Sequence, residues 1–396
     1  MSMRTSATAT TPFTEQALLP FLIRYYLESG HAITLWQMPN SNEKNLLICT
    51  DGLRHLDEIS LEKSDTGFVF APYDHTQKKV FFRSDLIFTF KNGELGPENL
   101  PEEVFRKVSA QEESVRPVLS RVYPALPFQR EPVLQNYRAL VQRCIDRIQK
   151  GAFEKVVPSR SKEFDLPDGF DLWNTFKRLC QAHPNCMISL VSSEETGTWM
   201  GATPELLASV DDRNHFKTVA LAGTKRHVPG VNLKSVAWTE KEIEEQAMVC
   251  RYIISCFKKI RLREYDEHGP RTVIAGNLLH LKTEYDVDMA ATNFPQLGSV
   301  MLQLLHPTSA VCGMPLEQAR EFLRANEGYE RQFYSGYLGP VNVKGESNMF
   351  VNLRCMQLFN KKAILYAGAG VTIDSDAEKE WEETEMKIDT LISAIL

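Results

Sequence analysis

Apolar spacing near the start of the chain predicts a helix over Glu15–Ser29, where Leu18, Leu22, Tyr25 and Tyr26 recur on one stripe. Short apolar or alternating runs follow at Ala32–Trp36, Leu46–Cys49, Phe68–Tyr73, Val80–Arg83 and Leu86–Phe90. Their turn-rich separators predict mostly antiparallel strands. The stretch from Gly93 to Pro127 is rich in Glu and Pro, weakly periodic and free of any Gly/Ser tract, so it reads as a connection rather than a domain linker. From Pro132 to about Gln149 the chain is strongly amphipathic. Tyr137, Leu140, Val141, Cys144, Ile145 and Ile148 share one face there, and Gly151 stands where a stop belongs.

The pattern then changes character. Strands are predicted at Glu154–Phe164, Met187–Ser192, Glu205–Val210 and His215–Leu221, and a long helix over about Lys234–Ile260. Strands near Thr272–Ile274 and Leu278–Lys282 come next, then helices near Asn293–Leu305 and Leu316–Ala325. Three strands, Tyr334–Val343, Met349–Leu358 and Lys362–Ala367, precede a closing helix over Asp376–Leu396. Strands and helices do not alternate regularly and nothing repeats, which favours an α+β fold with large antiparallel sheets over a doubly wound parallel one. At 396 residues the chain has the length of two or three ordinary domains, yet sheet-rich enzymes reach this size as one unit. Residues 1–127 are accordingly read as a sheet-forming part of the same globular unit as residues 128–396.

Composition narrows the partners. With 43% hydrophobic and 24% charged residues the chain has ordinary globular usage, which excludes a disordered or collagen-like protein. A net charge of -6 and the absence of any long basic run argue against nucleic acid. An anionic ligand would then need positive charge gathered locally, or a metal. Eight scattered cysteines without a C-x-x-C pair read as reduced thiols of a cytoplasmic protein. The first twelve residues lack the apolar core of a signal peptide, and no window is long and apolar enough for a membrane helix.

Several short segments could carry chemistry. Lys155, beside Val156 and Val157, is placed where an ammonium can be drawn out of water, which favours the neutral amine that acts as a base. A solvent-facing strand lysine is the commoner outcome. Glu205 opens an apolar strand after the stiff Thr203-Pro204 turn, and a carboxyl in such surroundings donates a proton near neutrality; a surface glutamate is the plainer alternative. Leu221-Ala222-Gly223-Thr224 reads as a strand end whose bare backbone N–H groups could meet an oxyanion. Glu240, Glu242, Glu244 and Glu245 crowd the long helix as a solvated face would. Glu245 alone follows a partly apolar stripe with Trp238, Val249 and Tyr252, and an acid there could hold a hard divalent cation.

In the last helix, at about 100° per residue, Glu380, Glu383 and Lys387 fall within roughly 60° of one another, next to the core stripe of Trp381, Ile388, Leu391, Ile392 and Ile395. Plain i,i+3 and i,i+4 surface ion pairs are the commoner outcome for such a set. The preceding Gly368-Ala369-Gly370 turn lets a ligand approach the backbone closely. It is no dinucleotide fingerprint, because Ile373 stands where a third glycine belongs. His280 lies in an apolar strand, where a satisfied core histidine is the common case. Arg354, in the middle of the apolar run Val351–Cys355, demands a carboxylate or phosphate partner.

The order and wording of these segments resemble the chorismate-utilising enzymes. The blocks are Lys155-Val-Val-x-Ser-Arg, Gly-Ala-Thr-Pro-Glu205-Leu-Leu, Leu-Ala-Gly223-Thr224, Glu-Lys-Glu-x-x-Glu245, Leu-x-His280-Leu, His306-Pro-Thr-x-Ala310-x-x-Gly313, Arg354, Ala-Gly368-Ala-Gly370 and Glu380-Trp-x-Glu383-Thr-x-x-Lys387. They cover roughly Pro132 to the C-terminus. The resemblance implies one α/β unit of two large antiparallel sheets flanked by helices, chorismate as substrate of the 128–396 region, and Mg²⁺ dependence. It implies that Glu245 and Glu383 hold Mg²⁺, with Glu380 acting through water, and that the metal anchors the ring carboxylate, which His280 also contacts. Arg354 would clamp the enolpyruvyl carboxylate, helped by Lys387 and the backbone at Gly223, Thr224, Gly368 and Gly370. Ala310, Tyr334, Leu353 and Ala369 would complete the substrate pocket.

Within that family the wording points to water as nucleophile. Lys155 stands where water-using members keep a base, and Ala222 occupies the position of the covalent lysine of some aminating members. The Ala310 neighbourhood lacks the wording of ammonia users, and no glutaminase segment or partner is expected. The implied reaction is isochorismate formation, with Lys155 as base and Glu205 as acid, by a monomer. Salicylate formation, which adds pyruvate elimination, is the alternative, and a non-catalytic chorismate-binding scaffold is a third. Gln246 departs from the pattern where a histidine is common, and Ser309 where proline is common.

Overall fold

A computed structural model describes residues 12–96, 99–110, 134–228, 230–276 and 278–396. In chain order its strands are β1 (Phe13–Thr14), β2 (Ala32–Gln37), β3 (Lys44–Cys49), β4 (Arg54–Leu56), β5 (Gly67–Ala71), β6 (Lys79–Arg83), β7 (Leu86–Phe90), β8 (Glu94–Leu95), β9 (Lys155–Val156), β10 (Ser159–Asp165) and β11 (Met187–Ser193). They continue as β12 (Gly197–Thr203), β13 (Leu206–Val210), β14 (His215–Arg226), β15 (Asp266–Ala275), β16 (Leu278–Asp288), β17 (Gly313–Met314), β18 (Tyr337–Val341), β19 (Ser347–Val351), β20 (Cys355–Phe359) and β21 (Lys362–Gly368). The helices are α1 (Glu15–Glu28), α2 (Glu102–Ala110), α3 (Leu134–Gln149), α4 (Leu172–Ala182), α5 (Glu240–Lys259), α6 (Leu297–Leu305), α7 (Leu316–Asn326) and α8 (Ala377–Ile395).

Two large sheets, antiparallel throughout their described ladders, hold most of these strands. One has the order β10-β21-β20-β12-β11-β2-β3-β7 and the other β15-β16-β14-β13-β19-β18-β5-β6-β4. Alternation along each strand builds the layers. In β3, Leu46 and Ile48 pack with α1 and α4, whereas Leu47 and Cys49 face the other sheet. In β5, Phe68 and Phe70 meet that inner layer, and Val69 and Ala71 turn towards α5 and α6. The inner layer is aromatic, with Trp36, Phe68, Phe70, Phe82 and Trp199 buried in it. At about 1.5–3 kcal/mol for each large apolar side chain taken from water, this layer fastens the sheets together. Strands β2, β3 and β7 extend the first sheet and β4, β5 and β6 the second, so the N-terminal part shares both sheets.

At two neighbouring places the chain steps from one sheet to the other. Strand β12 of the first sheet runs into β13 of the second through Pro204-Glu205, and β19 of the second returns to β20 of the first through Asn352-Leu353-Arg354. The paths are tied by bonds from the Val351 amide to the Glu205 carbonyl at 2.9 Å and from the Ala202 amide to the Arg354 carbonyl at 2.9 Å. The run Met349–Leu358 is therefore broken, and Arg354 lies at the break rather than inside a strand, with φ at 45°. That left-handed conformation costs a non-glycine residue about 1–3 kcal/mol and persists where the surroundings fix it.

Other expectations are corrected in the same way. The predicted strand Glu154–Phe164 is split by Pro158 into β9 and β10. The connection after Gly93 contains α2, whose Val104 packs into the core formed with α1; the rest of that stretch, residues 111–127, and the boundary at 127/128 lie outside the described residues. The long helix begins at Glu240, where the Glu242 carboxylate accepts from the Thr239 amide, so Trp238 precedes the helix and lies beneath the ammonium of Lys225. Helix α4, N-capped by Asp171, and strand β12 were not predicted. No described helix is long and apolar enough to cross a membrane.

Candidate active site

Lys155 is placed by a small ladder that draws three distant segments together. Strand β9 pairs with β17, Met314 opposite Lys155 and Gly313 opposite Val156, while Val156 and Val371 exchange backbone bonds of 3.1 and 2.8 Å. The lysine side chain is buried, and its ammonium lies 3.0 Å from Glu245 Oε1. It is thus not alone in apolar surroundings, as its neighbours in sequence imply, but paired with an acid ninety residues away. Gly370 makes room for this pair: a Cβ there would lie 2.5 Å from Glu245 Oε1 and 3.1 Å from Lys155 Cε. The protein's own side chains take the space that the glycine turn leaves.

The two steps between sheets deliver Glu205 and Arg354 to the same cavity. Glu205 is buried, and that burial, opposed by the charges of Arg354, Lys155 and Lys387, raises its carboxyl to about 7. Arg354 is also buried, and its Nη2 lies 3.5 Å from His280 Nε2. His280 Nδ1 is 2.6 Å from the Gly223 carbonyl. Burial, with Arg354 and Lys387 nearby, lowers His280 to about 3, so the ring is neutral and its single proton goes to that carbonyl. The bare Nε2 then faces the guanidinium. Gly223, with φ at 67°, sits in an irregularity of β14 between Ala222 and Lys225, inside a strand expected to end there.

Helices α5 and α8 contribute three acids and two lysines in and beside the cavity. Glu383 Oε1 accepts from Lys387 Nζ at 2.6 Å and from Thr224 Oγ1 at 3.4 Å, and Lys387 also donates to the Gly368 carbonyl at 2.8 Å. Glu380, almost wholly buried, accepts from Lys241 at 2.5 Å. Burial and the adjacent charge of Glu383 push the Glu380 carboxyl up, against the pull of Lys241. At Glu245 the effect of burial is outweighed by Lys155, Lys387 and Lys241, and the carboxyl is held below its usual range. Among the described residues no three acidic, His or Cys groups form a ready-made metal cluster, since each acid is turned to a lysine. The donor chemistry nevertheless fits a hard divalent cation. Lys241, which feels Glu380, Glu383 and Glu245 together, already puts a positive charge among them.

The cavity is lined by Lys155, Glu205, Gly223, Thr224, Glu245, His280, Ala310, Tyr334, Leu353, Arg354, Gly368, Gly370 and Lys387, all singled out from the sequence. Ala369, Glu380 and Glu383 are not in the lining. Ala369 is fully buried, its amide 3.3 Å from the Pro158 carbonyl, because alternation turns it away from the cavity that its glycine neighbours face. Val157, Val311, Pro204, Leu221, Ala367 and Tyr366 also line the cavity without having been predicted. Tyr366 forms a stacked wall with Tyr334 and Trp199, at centroid distances of 5.3 and 5.5 Å. The period-two pattern of β21, which puts Ile364 and Tyr366 on the inner face, was the available signal. Lys241 stood inside a quoted block without a role, one helical turn before Glu245. Counting side chains, the lining holds three cations, Lys155, Arg354 and Lys387, against the carboxylate of Glu245 and a Glu205 poised between charge states. An anion is the fitting guest.

Residues 79–396 match the chorismate binding enzymes, and the chain belongs to that family. Over 278 residues, 67% of this chain and 68% of the relative, it is 30% identical to the isochorismate synthase DhbC of Bacillus subtilis (strain 168). Its fold resembles that of MenF, the menaquinone-specific isochorismate synthase of Escherichia coli, with a TM-score of 0.73 at 20% identity over 98% of this chain and 94% of the other. It also resembles a putative 2,3-dihydroxybenzoate-specific isochorismate synthase, DhbC, from Bacillus anthracis, with a TM-score of 0.71 at 22% identity over 95% and 99%.

Proposed function

We propose that this enzyme converts chorismate to isochorismate. The observation that carries the reading is a buried carboxyl held near neutrality, Glu205, in one cavity with the buried amine of Lys155 and the guanidinium of Arg354. Similarity to isochorismate synthases supports it. Lys155 takes a proton from water as the water oxygen bonds to C2 of the ring. The ring double bonds shift, and Glu205 gives its proton to the C4 hydroxyl, whose C–O bond breaks to release water. One water enters and one leaves, so the change is an isomerisation.

Arg354 and Lys387 face the enolpyruvyl carboxylate, with the backbone at Gly223, Thr224, Gly368 and Gly370 completing its cradle. Glu245 and Glu383 would hold Mg²⁺, with Glu380 contributing through water, and the bound ion would anchor the ring carboxylate and offset its charge. His280, whose Nδ1 lies against the Gly223 carbonyl and whose Nε2 lies beside the Arg354 guanidinium in the same cavity, would contact the ring carboxylate.

Incubation with chorismate and Mg²⁺, followed by chromatography, tests the reading. Isochorismate is the expected product, with no amino product on adding ammonium and no turnover after chelation. Salicylate with pyruvate as the main products would replace the reading by the lyase alternative, anthranilate would overturn the choice of nucleophile, and full activity in chelator would remove the metal. The pH profile gives a second check. Glu205 must be protonated to act, and its carboxyl is raised to about 7, so the active form prevails below that pH and is lost above it. A descending limb in kcat/KM near pH 7 is expected, and its absence from the residual activity of Glu205→Gln assigns it.

A further inference from the structure

Arg160 does not line the cavity, although it lies opposite the lining residue Ala367 in the β10–β21 ladder, and its side chain joins two of the blocks. It lies on β10, the edge strand beside β21, and its side chain is fully buried against α8. Its Nε donates to Thr384 Oγ1 at 2.7 Å, its Nη2 pairs with Glu385, and its guanidinium carbon lies over the Trp381 ring, 3.7 Å from the centroid. Lys162, two residues along β10, holds the other oxygen of Glu385 at 2.8 Å. Thr384 itself is fully buried and donates back to the Trp381 carbonyl at 2.7 Å.

The helix geometry gives this clasp its meaning. At about 100° per residue, Thr384, Trp381 and Glu385 occupy one arc of α8, and Glu380, Glu383 and Lys387 occupy the adjacent arc, roughly a third of a turn away. A rotation of α8 about its axis would swing all three of the latter together. A flat, three-point grip on the neighbouring arc opposes that rotation in a way that a single ion pair cannot, because a planar guanidinium fixes direction as well as distance.

We propose that Arg160 is a positioning residue that sets the rotation of α8, and thereby the aim of Glu380 and Glu383 at a divalent cation and of Lys387 at the substrate. The proposal rests on the metal assignment above. Arg160→Lys keeps the charge for Glu385 but cannot bond Thr384, pair with Glu385 and lie flat on Trp381 at once. Thr384→Val removes both bonds of the Thr384 hydroxyl, the one from Arg160 and the one to the Trp381 carbonyl, at nearly constant volume.

The test is Mn²⁺ binding to the full chain, followed by electron paramagnetic resonance, for the parent, Arg160→Lys, Thr384→Val and the double variant, with Tm measured beside it. Each single substitution is expected to raise the Mn²⁺ Kd by about tenfold, the lower end of what loss of an orienting partner costs a metal site. The double variant should lose little more than the worse single, because both act through one clasp. Higher Mn²⁺ should restore the turnover that Arg160→Lys loses at subsaturating metal. A lowered Tm with Mn²⁺ affinity within twofold of the parent would make Arg160 a mere strut and overturn the proposal. No Mn²⁺ binding by the parent would overturn the metal assignment and this proposal with it. Should Arg160→Lys fail to fold, Thr384→Val alone decides, on the same thresholds.

Discussion

Lys155→Ala and Glu205→Gln are each expected to lower kcat by at least about 10²-fold with a smaller change in KM, the range for loss of a general base or acid. The reason lies in charge state. Water attack needs a neutral amine and loss of the C4 hydroxyl needs a neutral carboxyl, so each group must hold the less common form of its type. For Glu205 burial supplies this, outweighing three nearby cations. For Lys155 the geometry adds a condition: its ammonium is paired with Glu245, and only engagement of that carboxylate elsewhere frees the amine. Lys155→Ala should therefore bind Mn²⁺ at least as tightly as the parent while failing in catalysis, which separates the lost base from a damaged metal site. Isochorismate supplied to the variant should return to chorismate as slowly as the forward reaction runs, since the same two groups exchange roles in reverse. Near-normal rates in either direction would make Lys155 an ordinary lysine.

Arg354→Met is expected to reduce kcat/KM by about 10²- to 10³-fold, within the range of about 2–5 kcal/mol that follows from removing one partner of a buried charged contact. Most of the loss should fall on KM if the guanidinium clamps a carboxylate present in substrate and transition state alike. A second effect has a fixed sign. Arg354 is the foremost of the charges that hold the Glu205 carboxyl down, so its removal lets that carboxyl rise, and the descending limb of the pH profile moves to higher pH. Arg354→Lys should restore the limb and only part of the affinity, because an ammonium supplies charge without the fork. An unmoved limb in Arg354→Met would show that the two residues do not share a field.

Regular alternation made much of the fold legible. Leu86–Phe90 coincides with β7, and the closing helix is off by one residue at each end. What escaped was direction. Met349–Leu358 reads as one apolar strand because residues on both sides of a step between sheets are buried, and the polar Asn352 and Arg354 mark the place where the path turns. Pro158 and Pro204 are similar marks, each beside a residue of the site. The site residues were legible as types within motifs, and thirteen of them line one cavity. Their partners were not, because periodicity relates a residue to neighbours three or four positions away and says nothing of Lys155 meeting Glu245 or Arg160 meeting Thr384.

The paired steps between the sheets also decide how the site responds when the two layers shift. Glu205 and Arg354 travel on adjacent strands that cross together and are bonded to each other on both sides of the crossing. A displacement of one sheet against the other would carry the acid and the guanidinium along as one piece. The strands β2, β3 and β5 take no part in the crossing: they come from residues before position 79, where the family match begins, and the cavity lining runs from Lys155 to Lys387. A shift confined to those strands would leave the spacing of the two side chains unchanged, because the bonds that set it lie wholly within the crossing.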